Sequence, residues 1–482
     1  MADRPKPPSL ERLSEAMLGR LPGTVAGPGY DRTYAQMGVV HIGVGAFHRA
    51  HQAAFFDDIL SSGDRRWSII GLSLRSPAAE QALQPQDGLY TLIERSAAGE
   101  TLRVRGAIQS VATVAGRERL ALDVLAAAQT QLVSLTISEK GYAPETADLR
   151  ADVPTTAAGF LAKALERRRN AGLAPFTVLS CDNLDDNGAR VRALVLDAAS
   201  RIDPRLAGWI ERNGAFPSGM VDRITPATTP EARRFLENRL GYRDEAMVTT
   251  EHFRQWVIED RFAGPRPDFA AAGVQVVADV IPWQAAKLRL LNAAHSALAY
   301  LGGLGGFATV DEAIGWPPLR AYVGRLWDEA SSTLSPTPGL DIDAYRQALL
   351  RRFENPHLRH RLSQIAMDGS QKLPPRLLAT IERRLAAGRS IDALALAVAA
   401  WIRWSLGVDE AGVRFEVEDP RAPDLARMLE GADTAAEMVA SMLADRAIFS
   451  PALAASPILA ETLTKKLEIL LKNGARAAIA AI

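Results

Sequence analysis

Between Met37 and Val44 the chain reads MGVVHIGV, a β-branched run that ends in glycines and is followed by an apolar pattern at helical spacing through Phe56 and Leu60. This predicts a strand, a tight turn and a helix. Short apolar runs recur at Trp67–Leu72, Gln131–Ile137 and Phe176–Ser180, with helical stretches such as Thr155–Asn170 between some of them. Strands alternating with helices predict a parallel, doubly wound sheet, because parallel neighbours need long crossovers and helices are the compact way to make them. From about Pro282 onward, long Ala/Leu/Arg-rich helical patterns dominate and strand-like runs almost vanish. The expected division is therefore an α/β unit over residues 1–282 and a mostly α-helical unit over 283–482. Ser335–Leu340 (SPTPGL) reads as a loop between helices, and no internal repeat is evident.

The 482 residues exceed what one core ordinarily organises, which agrees with two or more domains. A hydrophobic share of 48% and a charged share of 23% are those of a water-soluble globular enzyme. Lys plus Arg and Asp plus Glu both number 56, so no global field recruits nucleic acid or an anionic membrane, and neither is expected as a partner. Cys181 is the single cysteine; it excludes an intrachain disulfide and the cysteine clusters of structural zinc or iron–sulfur sites, and it suits a reducing cytoplasm. The N-terminus MADRPKPPSLERL lacks the apolar core of a signal peptide. The longest apolar run, Ala393–Ile402, is shorter than the roughly 20 residues a bilayer needs. The expectation is neither export nor a membrane anchor.

Gly43-Val44-Gly45 ends the first predicted strand, where glycines permit a tight turn and let backbone N–H groups approach a dinucleotide pyrophosphate. The third glycine of the usual fingerprint is replaced by His48, so an unliganded strand-to-helix turn is the even alternative. Phe47, His48, Arg49 and His51 put two imidazoles and a guanidinium at a helix start, where an anion would compensate them. The plainer reading makes His48 and His51 structural. The second strand runs into Arg75 and meets no carboxylate before Glu80. A guanidinium suits the 2′-phosphate of NADP, so NAD and NADP both remain open, and a lone surface arginine is the bland alternative.

Lys287, Asn292 and His295 lie within WQAAKLRLLNAAHSALAYL. At roughly 100° per residue they fall within about 140° of one α-helix face. A partly desolvated lysine there can take a hydroxyl proton during alcohol oxidation or return it during ketone reduction; Asn292 can donate to the developing alkoxide, and His295 can orient a neighbouring hydroxyl. Taken singly, each has a plainer reading as a solvated lysine, a helix-polar amide and an interior histidine. Asn183, in Ser180-Cys181-Asp182-Asn183-Leu184, follows a predicted strand and can supply a second side of an oxyanion site. Asp222 stands beside Arg223 in MVDRITP, as a ligand contact or as half of a structural ion pair.

Together these segments resemble the polyol-specific long-chain dehydrogenase/reductase family. The matching stretches are HIGVGAFHRAHQA, SLTISEKGY, FTVLSCDNL, MVDRITP, FRQWVIEDRF, the K-x4-N-x2-H array, DGSQKLPPRLL and GVDEAG, running from about residue 41 to 412. The resemblance implies a Rossmann-like doubly wound N-terminal domain, a mostly α-helical C-terminal domain with substrate between them, NAD as cofactor by the family's general habit with NADP as the alternative, and no catalytic metal. It makes Lys287 the general acid/base and Asn183 and Asn292 the oxyanion site, with Asp222, His295 and Lys372 around substrate or nicotinamide. Gly43, Gly45, Phe47, His48, Arg49 and Arg75 are the expected cofactor contacts.

Within the family, Glu139-Lys140-Gly141-Tyr142, Gln364 and the run from Asn355 to Arg361 look like the members that reduce fructuronate rather than those that oxidise mannitol. This implies interconversion of D-fructuronate and D-mannonate, with D-mannitol and D-fructose as the alternative pair. Lys140, Arg359 and Arg361 are the expected carboxylate-binding cations. Gln284 stands where the family often has a glutamate assigned to proton relay, which leaves the proton's exit route open. A silent dinucleotide-binding sensor would not need the lysine and asparagine set. No pattern in the chain fixes an oligomeric state.

Overall fold

Five strands, Met37–Ile42, Ser68–Ser73, Ile108–Thr113, Leu132–Leu135 and Thr177–Ser180, pair in parallel throughout. Numbered along the chain, they lie in the order third, second, first, fourth, fifth. The winding therefore reverses beside the first strand, which is where open parallel sheets form a crevice outside their carboxyl ends. Alternate residues of that strand serve opposite faces: Val39 joins a core that includes Phe55, Phe56 and Trp256, whereas Val40 and Ile42 join one that includes Leu161, Val178 and Val195. Helix Gln52–Ser61 lies on the first side; Glu118–Ala126, Ala157–Asn170 and Asn187–Ile202 lie on the second. Two-sided cover explains why four of these strands read as short apolar runs, whereas Ile108–Thr113 (IQSVAT), an edge strand with polar residues among its apolar ones, was not expected from the pattern.

A computed structural model describes residues 10–150 and 153–482, and the chain separates into one compact unit that ends at Ile281 and another that begins at Pro282. The first unit also holds two sheets that the apolar pattern did not reveal. One has four strands, Val25–Ala26, Gly99–Arg105, Tyr90–Ser96 and Val248–Glu251; the other has three, Gln275–Val277, Gln255–Glu259 and Gly219–Asp222. Their strands mix apolar with charged residues, as in the hairpin that sets Leu92 opposite Arg103 and Glu94 opposite Thr101.

In the second unit every described element from Val310 onward that is longer than two residues is helical. Its centre is helix Asp392–Trp404, buried from Ala393 to Ile402 among Pro317–Ser331 and Pro457–Ala480. The longest apolar run of the chain is thus a core helix, and burying each of its large side chains contributes about 1.5–3 kcal/mol. No described helix is long and apolar enough to cross a membrane. From Ile281 to Gly302 one continuous helix changes its winding: α over Ile281–Ala286, π over Lys287–Asn292, α over Ala293–Ala297 and π over Leu298–Gly302.

Candidate active site

The turn after the first strand is shaped by Gly43. Its φ of +100° is left-handed, its N–H donates to Leu72 O at 2.8 Å, and a Cβ there would lie 2.1 Å from Thr136 O. Gly45 differs: it is exposed, and the nearest atom to its would-be Cβ is Gly43 O at 3.9 Å. The first glycine is demanded by the fold, and the second leaves an open approach to the backbone. Beneath the turn, His41 is fully buried; its Nε2 meets Thr136 Oγ1 at 2.9 Å and Gly43 O at 3.2 Å, and its Nδ1 meets Ser134 Oγ at 2.8 Å. Burial pushes its pKa down to about 3, so the ring is a neutral strut. The sequence reading missed it, because a histidine in a strand carries no motif.

The expected cluster of cations at the helix start is corrected. His48 is 0% exposed and stacks on His41 at 3.3 Å, and burial lowers its pKa well below the usual range. His51 is also wholly buried, with Nε2 2.8 Å from Gln255 O and a pKa near 3 for the same reason. Arg49 is half-buried and interacts electrostatically with Tyr90 and Asp244. Desolvation keeps both imidazoles uncharged inside the fold, so His48 and His51 offer no charge to an anion, and Arg49 is the cation left at the helix start. Phe47 is half-buried and stacked on His51 at 5.1 Å. Arg75 is exposed just beyond the second strand, and Glu80 is engaged with Arg117 and the Thr113 N–H.

Two distant segments are brought together by Asp182. Its carboxylate accepts from Ile137 N at 3.1 Å, Ser138 N at 2.8 Å and Tyr142 OH at 2.9 Å, which ties the turn carrying Lys140 to the loop carrying Asn183. Burial raises the Asp182 pKa, and those donors oppose the rise. Asn187 makes the next link: its Nδ2 donates to Asp182 O and Gly219 O, and its Oδ1 accepts from Gly219 N, each at 3.0 Å. The Asn183 loop is thereby joined to strand Gly219–Asp222, whose end carries the buried Asp222. Lys140 and Asn183 are exposed. Arg223 takes the structural part: it pairs with Glu94 and donates to Glu251 O.

In the second unit the α-helix expected for Lys287, Asn292 and His295 is corrected to a π-turn over the first two. Ala293 N–H reaches back to Leu288 O, five residues away, so the turn is wider and Asn292 comes closer to the position directly below Lys287 than 100° per residue allows. Lys287 is half-buried. Asn292 is 7% exposed and His295 8%; Asn292 Nδ2 and His295 Nε2 are buried with no hydrogen-bond partner among the described residues. Orphaned polar atoms of this kind cost about 1–3 kcal/mol each unless a ligand pairs them.

His295 lies against Phe353 at 4.8 Å and edge-on to His360 at 5.6 Å. Burial lowers its pKa far below the imidazole range, helped by His360, Arg352, Arg376 and Lys287. Lys372 is half-buried, 3.6 Å from Asp368 and 3.4 Å from Ile365 O, and burial together with Arg376 lowers its pKa. Arg376 donates to Ser296 Oγ at 3.2 Å, and burial brings its pKa to about 10. Arg359 and Arg361 are exposed, and it is the residue between them, His360, that meets His295.

A parallel sheet of this winding, with an open glycine turn at its reversal point, is a frame on which nucleotide-dependent dehydrogenases hold their cofactor. Family models agree, the mannitol dehydrogenase Rossmann domain over residues 37–271 and the mannitol dehydrogenase C-terminal domain over residues 279–471. The chain belongs to the mannitol dehydrogenase family and is an oxidoreductase acting on CH–OH groups. It is 40% identical to D-mannonate oxidoreductase of Escherichia coli K12 over 95% of this chain and 98% of that protein. It is 39% identical to a mannitol 2-dehydrogenase of Phaeosphaeria nodorum over 98% of this chain and 86% of that one. Among solved structures it matches Pseudomonas fluorescens mannitol 2-dehydrogenase, in ternary complex with NAD and D-mannitol, with a TM-score of 0.86 and 36% identity over 98% of this chain and 99% of that chain.

Proposed function

We propose that this enzyme interconverts D-fructuronate and D-mannonate with Lys287 as general acid/base and NAD or NADP as redox partner. In this reading the residues up to 282 hold the dinucleotide, at Gly43, Gly45, Phe47 and Arg75, and residues 283–482 carry the acid/base chemistry. The observation that carries it is the pair of buried, unpartnered polar atoms, Asn292 Nδ2 and His295 Nε2, on the helix that bears Lys287. A nicotinamide held at the glycine turn would supply the hydride acceptor for the alcohol carbon in oxidation and the hydride donor for the ketone carbon in reduction. Lys287, as the free amine, takes the hydroxyl proton during oxidation and, as the ammonium, returns it during reduction. Asn292, with Asn183, donates to the oxygen as charge builds on it, and His295 and Asp222 orient the hydroxyls beside it.

The sugar-acid substrate is supported by the cations around this face. Arg352, Arg376 and Lys287 all disfavour a charge on His295, and Lys372 does the same to His360, so the surroundings favour an anionic ligand. Arg359 and Arg361 are exposed beside His360, and Lys140 is exposed in the first unit. A polyol pair, D-mannitol and D-fructose, is the second reading, favoured by the near-equal identity to mannitol 2-dehydrogenase. A panel of D-fructuronate, D-tagaturonate, D-fructose and D-mannitol, each with NAD(H) and NADP(H), separates the two. If kcat/KM for D-fructose equals or exceeds that for D-fructuronate, the sugar-acid reading fails.

A further inference from the structure

We propose that His360 is a further substrate-contacting residue, whose Nδ1 hydrogen-bonds an oxygen of the substrate chain beyond the reacting carbon. The inference rests on the reading of the Lys287–His295 face as the reacting centre and adds a residue to it.

The backbone delivers this side chain by design of the loop. Arg359, immediately before it, sits at φ +44°, a left-handed conformation that a non-glycine residue holds only where its surroundings impose it. Those surroundings are hydrogen bonds on both sides: Val310 N–H donates to His360 O and Leu362 N–H to Ala308 O, each at 3.0 Å, and Arg361 bridges to Thr309. The turn points Arg359 and Arg361 into solvent and places the His360 ring at 86° to the ring of His295, 5.6 Å away.

The chemistry at the ring then calls for a ligand. His360 Nδ1 is buried and has no partner among the described residues. Burial, with the Lys372 ammonium nearby, pushes the pKa down to about 4, so the ring is neutral near pH 7 and can donate or accept one hydrogen bond through Nδ1. Together with Asn292 Nδ2 and His295 Nε2 this makes three unpartnered buried polar atoms, contributed by two separate elements. Most buried polar atoms in folded proteins are paired, and here two of the unpaired ones sit on rings that meet each other, His295 with His360, with His295 also feeling the Lys287 charge, an arrangement that fits a polyhydroxylated chain satisfying them on binding. Lys287 and Asn292 suffice for the reacting oxygen, which leaves His360 for an oxygen further along.

The test compares His360→Phe, His360→Asn and His360→Gln with wild type and Lys287→Ala, on whichever of the four panel substrates wild type turns over best. The phenylalanine keeps the ring's bulk without a polar atom; the asparagine amide reaches the Nδ1 position, and the glutamine amide reaches only the Nε2 position. We expect His360→Phe to lower kcat/KM roughly 10-fold, mostly through KM, with NADH affinity and the urea midpoint close to wild type. His360→Asn should restore most of the loss and His360→Gln should not, and that contrast holds even if the phenylalanine variant fails to fold. A KM within twofold of wild type in all three variants, or equal loss in the asparagine and glutamine variants, overturns the assignment. Full turnover in Lys287→Ala would instead overturn the reading of the reacting centre.

Discussion

The two glycines of the first turn should fail in different ways. In Gly43→Ala the new methyl would sit 2.1 Å from Thr136 O and 2.8 Å from Thr136 C, both backbone atoms that cannot rotate away, at a φ of +100°. The backbone term costs about 1–3 kcal/mol and the overpacking about 1–3 kcal/mol, so we expect a loss of about 2–6 kcal/mol in unfolding free energy. In Gly45→Val the φ of −95° is ordinary and the Cβ direction is open, so the folding cost is at most about 1 kcal/mol for a poorer helix N-cap. If the dinucleotide phosphates lie against that backbone, the side chain occupies their approach. Losing one or two charge-assisted hydrogen bonds of about 1.5–3 kcal/mol each weakens NADH binding at least about 10-fold. Urea denaturation reads the first effect, and titration with NADH followed by nucleotide fluorescence reads the second. Wild-type stability in Gly43→Ala would refute the packing argument. Unchanged NADH affinity in a folded Gly45→Val would refute the placement of the phosphates.

Lys287→Ala should lower turnover by about 10²–10⁴ with NADH affinity nearly unchanged, as for loss of a positioned acid/base group; near-normal steady-state rates would refute that role. Lys140→Gly should raise KM for D-fructuronate about fivefold or more and leave D-fructose almost unaffected, and an equal change for both would remove Lys140 from carboxylate recognition. His51, with a folded pKa near 3 against 6.5 unfolded, binds a proton in the unfolded chain but not in the native one between those values. Its contribution is therefore complete above about pH 6.5 and is lost as pH falls toward 3, at about 1.4 kcal/mol per pH unit. His51→Gln, which retains a donor near Gln255 O, should show a shallower fall of urea stability between pH 6.5 and 5 by that slope; identical slopes would show that the ring is not held neutral.

The linear pattern determined four of the five strands of the parallel sheet, because strands buried on both faces must be apolar throughout, and so Met37–Ile42, Ser68–Ser73, Leu132–Leu135 and Thr177–Ser180 announced themselves while the half-polar edge strand Ile108–Thr113 did not. It also located the change to helix near residue 282 and the Gly43–Gly45 turn, since both are written in local composition. It did not reveal the two smaller sheets, whose partners, such as Tyr90–Ser96 with Val248–Glu251, are far apart in sequence and only partly apolar. At the candidate site, residue type and spacing marked Lys287, Asn292 and His295, but the π-winding over Lys287–Asn292, which changes how those two are aimed, has no signature in the residue pattern. The tertiary structure alone decided which histidines are charged candidates and which are struts. His41, His48 and His51 lose their charge to burial, and burial is a property of what other segments bring. The same holds for Asp182 and Asn187, which join the Lys140, Asn183 and Asp222 segments, and for His360, whose meeting with His295 spans 65 positions and rests on hydrogen bonds from Val310 and Leu362. Short-range chemistry can be read from one segment at a time; a convergence of segments is set by the packing energy of the whole unit.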